Sequence, residues 1–440
     1  MNVTVVGAGK MGLPLACQLA AGGANVTACD VNRSLVAAIN AGQMPFDEPG
    51  VGELLDQARR QGRMSATTSI SESLRAADVV IVIIPVLLSP DRTADTRVME
   101  DVTRQIALNL RPGMLVSYET TLPVGTTRHR LCPILETSGL RAGRDFDLVF
   151  SPERVKSQLV LQHLTKVPKI VGGVCPASSA RGAGFYRQYL GASVIDLATL
   201  EAAELAKVAG MIYRDVNIAL ANELAAYAES AGVDFEAVRK ASNTDGEAAL
   251  LTPGIGVGGH CTPVYPYFLI QDAISRNVPV ALTSTSRAIN DSQAARMLRR
   301  AAQLGAGFKG AETLILGLGF RPKVKEHTLS SAFLIAEAAR SMGARVCLHD
   351  PLYLSGEIES HGFAPWNWDS ARMPEVIVLN TAHPEYRNPE FASWYLRGAR
   401  YIIDGRNFWN ARDAVAAGLF YMAPGVSDQV PVPEPLPAGE

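Results

Sequence analysis

The segment VVGAGKMG, residues 5–12, constrains this chain more than any other stretch. It places Gly7, Gly9 and Gly12 in G-x-G-x-x-G spacing, just after an apolar strand pattern and just before a helical one. Gly7 permits a tight turn, Gly9 lets backbone approach a pyrophosphate, and the following helix offers its N-terminus to that anion. Asp30 ends the second strand pattern, eighteen residues past Gly12. A carboxylate there accepts from a ribose diol and repels a 2′-phosphate, which favours NAD over NADP. Asn32 and Arg33 pull the other way, because an arginine beside the acid can contact a 2′-phosphate. The candidate cofactor residues are therefore Gly7, Gly9, Lys10, Met11, Gly12, Asp30 and Arg33, with Pro85 at the end of the next apolar run.

The surrounding pattern sets the fold class. The runs Val3–Gly7, Asn25–Asp30, Val79–Pro85, Leu115–Glu119 and Leu148–Ser151 are almost continuously apolar, as strands covered on both faces of a parallel sheet must be. Helical patterns at Met11–Ala21 and Val36–Asn40 alternate with them, which predicts a doubly wound α/β domain. The middle differs. Residues 200–231 contain no proline, are rich in Ala, Leu and Glu, and predict one long helix that joins domains or meets a second subunit. Further helix is expected at Phe235–Ala241 and Ser286–Leu304. Four more strand patterns follow at Thr313–Gly319, Arg345–Asp350, Glu375–Thr381 and Tyr401–Asp404. The expected plan is two Rossmann-like α/β domains, 1–198 and 305–423, around a helical domain, 199–304. A proline-rich tail, 424–440, is expected to be disordered.

A net charge of −2 over 440 residues leaves no basic surplus for a general nucleic-acid binder. The longest apolar run, Val79–Leu88, is half the roughly 20 residues that span a bilayer, so no membrane segment is expected. No positive region precedes the first apolar stretch, which argues against a signal peptide. The six cysteines are scattered with no C-x-x-C pair, which points to a reduced, cytoplasmic protein without disulfides or zinc. Cys17, Cys29, Cys132, Cys175 and Cys347 read as small buried apolar residues.

Cys261 reads differently. PGIGVGGHCTP holds Gly254, Gly256, Gly258 and Gly259 directly ahead of His260 and Cys261. Such a run forms a loop that packs closely around a ligand, and a thiol on its rim can attack an aldehyde once its thiolate is favoured. His260 is either the thiol's partner or a loop histidine bonded to backbone.

These motifs, taken together and in order, resemble the UDP-glucose/GDP-mannose dehydrogenase family. GAGKMG, DEPG (47–50), ETTLPVGTT (119–127), SPERV (151–155), AELAKVAG, RDVNIALANELA, GVGGHC, LGLGF, HDP, TAHPE and IIDGRN span nearly the whole chain. The resemblance implies oxidation of a nucleotide-sugar C6 alcohol to the carboxylate with two NAD. It also implies an NAD domain, a central helical domain that forms a homodimer, and a C-terminal domain that holds the substrate's nucleotide. Cys261 would capture the aldehyde as a thiohemiacetal, which a second hydride transfer converts to a thioester for hydrolysis. By the same resemblance, Lys207 stabilises the oxyanion, Thr121 holds the catalytic water and also meets the cofactor, and Glu153 is the base or water-positioning group. Glu153, Arg154, Val155, Lys207, Arg214, Asn217, Gly258, His260 and Arg321 would bind substrate. HCTPVYPYFL is similar to the form found with UDP-N-acetylhexosamines.

Four departures stand out. The family's oxyanion asparagine, four residues past the lysine, is Met211, and its aspartate four past the cysteine is Tyr265. The family's D-x-R-x-S reads Glu326, Thr328, Ser330, and the subgroup's Pro-Arg pair reads Gly246-Glu247. One lost oxyanion donor costs about 10²–10³-fold in rate. The alternatives are a single two-electron oxidation or redox epimerisation on a different substrate, or a non-catalytic binding homologue.

Overall fold

The computed structural model describes residues 1–426, so most of the expected tail, from residue 427, lies outside the described residues. Contacts divide the chain into two compact units. One is Met1–Gly210 with Tyr267–Val278, and the other is Met211–Pro266 with the chain from Pro279 on.

The first unit is built on an eight-stranded sheet. Its strands are β1 (Asn2–Val6), β2 (Asn25–Cys29), β3 (Met64–Thr67), β4 (Val79–Val82), β7 (Leu115–Tyr118), β8 (Asp147–Phe150), β9 (Lys169–Gly173) and β10 (Val194–Thr199). A two-residue antiparallel pair, β5 (Leu87–Leu88) and β6 (Ala94–Asp95), follows β4. The sheet order is β10-β9-β8-β7-β4-β1-β2-β3. Six strands thus form the doubly wound 3-2-1-4-5-6 arrangement, whose order reverses between β1 and β4. Every pair is parallel except β8 and β9. The central strands β4 and β7 are buried at every position, as their apolar runs require. β3, β9 and β10 were not foreseen. β3 and β10 lie at the two edges and are largely uncovered, so neither has an apolar run to announce it.

The second unit carries a six-stranded, all-parallel sheet. Its strands are β11 (Glu312–Leu316), β12 (Arg345–His349), β13 (Ala364–Pro365), β14 (Val376–Leu379), β15 (Tyr401–Asp404) and β16 (Phe420–Met422), in the order β13-β12-β11-β14-β15-β16. An aliphatic cluster around Ile315, Ile335 and Val378 and an aromatic one around Trp394, Trp409 and Tyr421 make up its core. The long helix, Leu200–Ala231, is 32 residues and unbroken, with Gly232 in the left-handed conformation just beyond its end.

Candidate active site

The turn after β1 forms because its glycines leave no room for anything else. A Cβ on Gly12 would lie 1.8 Å from the Gly7 carbonyl oxygen, and one on Gly7, whose φ is +98°, would lie 2.7 Å from that of Ile83. Gly9 is the opposite case, since a Cβ there meets nothing within 4 Å. That open approach at the reversal of strand order, ahead of helix Gly12–Ala21, is what a pyrophosphate needs. Asp30 accepts from the Ala8 N–H (2.8 Å) and the Asn32 N–H (2.9 Å), so its carboxylate is tied to the same turn. Lys10, Arg33 and Pro85 are exposed around it, and Met11 is half-buried against the core.

The other candidate groups of this unit gather at the carboxyl ends of β7 and β8 and on the long helix. The Lys207 ammonium donates to the Glu153 carbonyl oxygen (2.6 Å) and to its Oε1 (3.0 Å). Glu153 Oε2 accepts from the Val155 N–H (3.1 Å). Burial pushes the Glu153 carboxyl up, but the Lys207 charge, the Val155 N–H and the Lys169 charge outweigh it and hold it below the ordinary carboxylate range. Thr121 is buried, and its hydroxyl has no hydrogen-bond partner. Orphaned buried hydroxyls are rare, and this one suits a water or substrate oxygen. Arg154 is exposed and reaches only the Pro168 carbonyl, at 3.5 Å. Val155 is half-buried.

Sequence reasoning missed two buried carboxylates here. Glu204, one turn before Lys207, accepts from the Gly125 N–H (2.5 Å), the Thr127 N–H (2.9 Å) and the Thr127 hydroxyl (2.7 Å). It thereby ties the segment after Thr121 to the long helix. Burial raises its carboxyl to about 7, although the three donors pull down. Glu119 pairs with Lys169 (2.5 Å) and accepts from the Tyr186 hydroxyl (2.7 Å). Both carboxylates sat inside quoted motifs, but nothing local distinguishes a buried carboxylate from a solvated one.

In the second unit, the glycines before Cys261 are dictated by packing. A Cβ on Gly256 would lie 2.6 Å from Ser331 Cβ, and one on Gly258 would lie 2.7 Å from Phe320 Cβ. The Gly259 N–H donates to the Thr328 carbonyl (2.9 Å), and Arg406 donates to the Gly256 carbonyl (3.1 Å). Asn217 donates to the Ala249 carbonyl (2.8 Å) and accepts from the Leu251 N–H (2.9 Å), while Asn222 accepts from the Gly254 N–H (2.9 Å). Asn217 thus braces the approach to the cysteine loop. Cys261 is half-buried four residues ahead of helix Tyr265–Ser275, and its carbonyl accepts from the Tyr265 N–H (3.0 Å).

His260 is held by side chains from a distant segment. Its Nε2 lies 2.8 Å from Glu326 Oε1 and 3.1 Å from Thr328 Oγ1. Two of the departures from the D-x-R-x-S pattern are therefore the groups that engage it. Arg214 is exposed, and Arg321 is half-buried just beyond the β11 turn. That turn repeats the N-terminal one: Asp350 Oδ2 accepts from the Leu318 N–H (2.7 Å) and the Gly319 N–H (2.9 Å), as Asp30 does from Ala8. Gly246-Glu247 lies in a turn closed by Asp245, which accepts from the Glu247 N–H (2.9 Å).

No disulfide joins any of the six cysteines. One assignment needs correction: Cys175 is half-buried, not buried, because it precedes helix Pro176–Leu190 at the surface and meets Ser178 Oγ at 3.3 Å. No helix among the described residues is long and apolar enough to cross a membrane.

Three family models match the chain in succession. They are the NAD binding, central and UDP binding domains of the UDP-glucose/GDP-mannose dehydrogenase family, at residues 1–190, 201–292 and 314–411. The UDP-N-acetyl-D-mannosamine dehydrogenase of Pyrococcus horikoshii is 32% identical over 417 residues, covering 92% of this chain and 96% of the relative. The UDP-glucose 6-dehydrogenase of Rhizobium meliloti is 28% identical, covering 97% and 100%. A solved structure of UDP-D-ManNAc dehydrogenase from Pyrococcus horikoshii superposes with a TM-score of 0.86 at 30% identity, covering 97% of this chain and 99% of that one.

Proposed function

The chain belongs to the UDP-glucose/GDP-mannose dehydrogenase family, and from that premise we propose that it oxidises the C6 alcohol of a UDP-N-acetylhexosamine to the uronate with NAD. The observation that carries this reading is the group at the carboxyl ends of β7 and β8. There, Glu153 and Lys207 form a buried pair, and Thr121 holds a buried hydroxyl without a partner, in the unit that carries the dinucleotide turn.

NAD, when bound, supplies hydride acceptance. Gly7 and Gly12 close the turn, Gly9 would leave backbone open to its pyrophosphate, and Asp30 would accept from a ribose diol. The Cys261 thiolate adds to the sugar aldehyde and forms the thiohemiacetal, and loss of a second hydride leaves the thioester. Lys207 is a fixed cation for the oxyanion in these steps. Glu153, held ionised by Lys207, takes a proton from the water that cleaves the thioester, and the Thr121 hydroxyl orients that water. Arg154, Val155, Arg214, Asn217, Gly258, His260 and Arg321 are assigned to the substrate side, Asn217 through the loop it braces.

The division into 1–198, 199–304 and 305–423 assigns cofactor, assembly and substrate nucleotide in turn. Tyr213, Leu220, Leu224 and Tyr227 expose one apolar stripe along the long helix, which supports a homodimer through that face. Six cysteines without a disulfide support a reduced, cytoplasmic setting.

NADH formed per sugar consumed, across UDP- and GDP-sugars, tests the activity. Two NADH and a product gaining one oxygen and losing two hydrogens are expected, and Cys261→Ser should abolish the carboxylate. A ratio near one supports the second reading, a two-electron reaction, which Met211 and the buried Tyr265 favour because neither supplies the family's amide or carboxylate.

A further inference from the structure

A charged network lies buried under the Glu153–Lys207 pair and has no part in the chemistry above. Glu119 directly follows β7, two residues before Thr121, and is fully buried. Its Oε2 lies 2.5 Å from the Lys169 ammonium, and Lys169, the first residue of β9, is also buried. The Tyr186 hydroxyl, from helix Pro176–Leu190, donates to Glu119 Oε1 (2.7 Å) and lies 2.7 Å from Ser117 Oγ. The Lys169 ammonium also sits 4.9 Å from the Tyr186 ring centroid.

Such a pair is a poor device for stability. Two ions taken out of water seldom outdo well-packed apolar residues of the same volume, and β7 and β9 are buried along their whole length. Its position is more telling. The Glu119 carbonyl accepts from the Glu153 N–H (3.1 Å), which joins the network to the segment that carries the base. Glu153 is faced by Lys207 from the long helix and by Lys169 from β9, and the Lys169 charge helps hold its carboxyl down. Glu119 from β7 opposes Lys169, and the neutral Tyr186 hydroxyl completes the set.

We propose that Lys169 and Glu119 are positioning residues, an opposed pair of buried charges that sets the protonation state of Glu153 from beneath the site. This rests on the assignment of Glu153 as the water-activating carboxylate. Neither residue touches the reacting atoms. Lys169 favours the carboxylate of Glu153, and Glu119 limits that effect and fixes the ammonium in place.

The prediction is one of opposite signs. With UDP-N-acetylmannosamine and saturating NAD, the acid limb of kcat against pH is expected to move up by roughly 1 unit in Lys169→Met and down in Glu119→Gln. Lys169→Arg should restore the wild-type limb. A purely structural pair would lower the unfolding temperature of both variants without moving the limb in opposite directions. Should Lys169→Met fail to fold, Lys169→Met/Glu119→Gln removes both buried charges, and its limb should return close to wild type. Limbs unmoved, or moved the same way, overturn the proposal. Glu153→Gln is the control for the underlying assignment, since it should remove the limb altogether. If the limb survives in Glu153→Gln, the assignment of Glu153 fails. The titration of its carboxyl by ¹³C NMR then decides the role of the pair: opposite displacements support it and none overturns it.

Discussion

Replacing Lys207 by methionine should separate stability from catalysis in a way that the geometry makes quantitative. The Lys207 ammonium lies 3.0 Å from Glu153 Oε1, a distance at which unit charges attract by about 5 kcal/mol at an effective dielectric constant near 20. Both side chains are largely out of solvent, at 6% and 15% exposure, so bulk screening does not erase that attraction. Desolvation offsets much of it in the intact pair. Removing one partner leaves the other buried and uncompensated, which costs about 3–5 kcal/mol. Lys207→Met also deletes the bond to the Glu153 carbonyl. The unfolding free energy should therefore fall by about 3–5 kcal/mol near pH 7, and turnover by at least roughly 10²-fold. In Lys207→Met/Glu153→Gln neither member of this pair is left as an uncompensated buried charge, so most of the stability should return while turnover stays lost. The pH dependence has a definite sign. Glu153 is held below the ordinary carboxylate range, so its contribution is present above the unfolded value and disappears as pH falls through the folded one. The stability gap between wild type and Lys207→Met should close at acid pH. Guanidinium unfolding and NADH formation read the two effects. A single variant as stable as wild type at pH 7, or a double variant as unstable as the single, would refute the reasoning.

Gly9→Ala should keep the wild-type unfolding midpoint and lose NAD affinity, because its Cβ meets only open space, whereas Gly12→Ala should lose both through the 1.8 Å clash with Gly7. Calorimetric NAD titration and thermal unfolding distinguish the two, and unchanged affinity in Gly9→Ala would contradict the assigned pyrophosphate approach. Glu204, raised to about 7, stabilises the fold fully below the ordinary carboxylate value and loses that contribution as pH rises through 7. Wild type should therefore lose up to about 3 kcal/mol relative to Glu204→Gln between pH 4 and pH 8. A pH-independent difference in unfolding free energy would discard this. Met211→Asn should raise turnover by restoring an amide donor on the long helix, and unchanged kcat would show that other groups already serve the oxyanion.

Local patterns were enough for some things and silent on others. The glycine spacing, the apolar runs at β1, β4, β7 and β11, and the unbroken stretch of residues 200–231 determined the fold class, the dinucleotide turn and the long helix. Each depends on the periodicity or the steric limits of neighbouring residues, which a linear sequence records. The edge strands β3 and β10 escaped because uncovered strands have no apolar signature. His260 was in view from the start, but its neighbours Glu326 and Thr328 lie more than sixty residues away in sequence. The pairing of Lys207 with Glu153, the three donors around Glu204 and the pair of Lys169 with Glu119 were likewise decided only by tertiary structure. Whether a charge is buried, and against what, depends on strands and helices far apart in the chain being brought together, and that burial is what sets the protonation of this site.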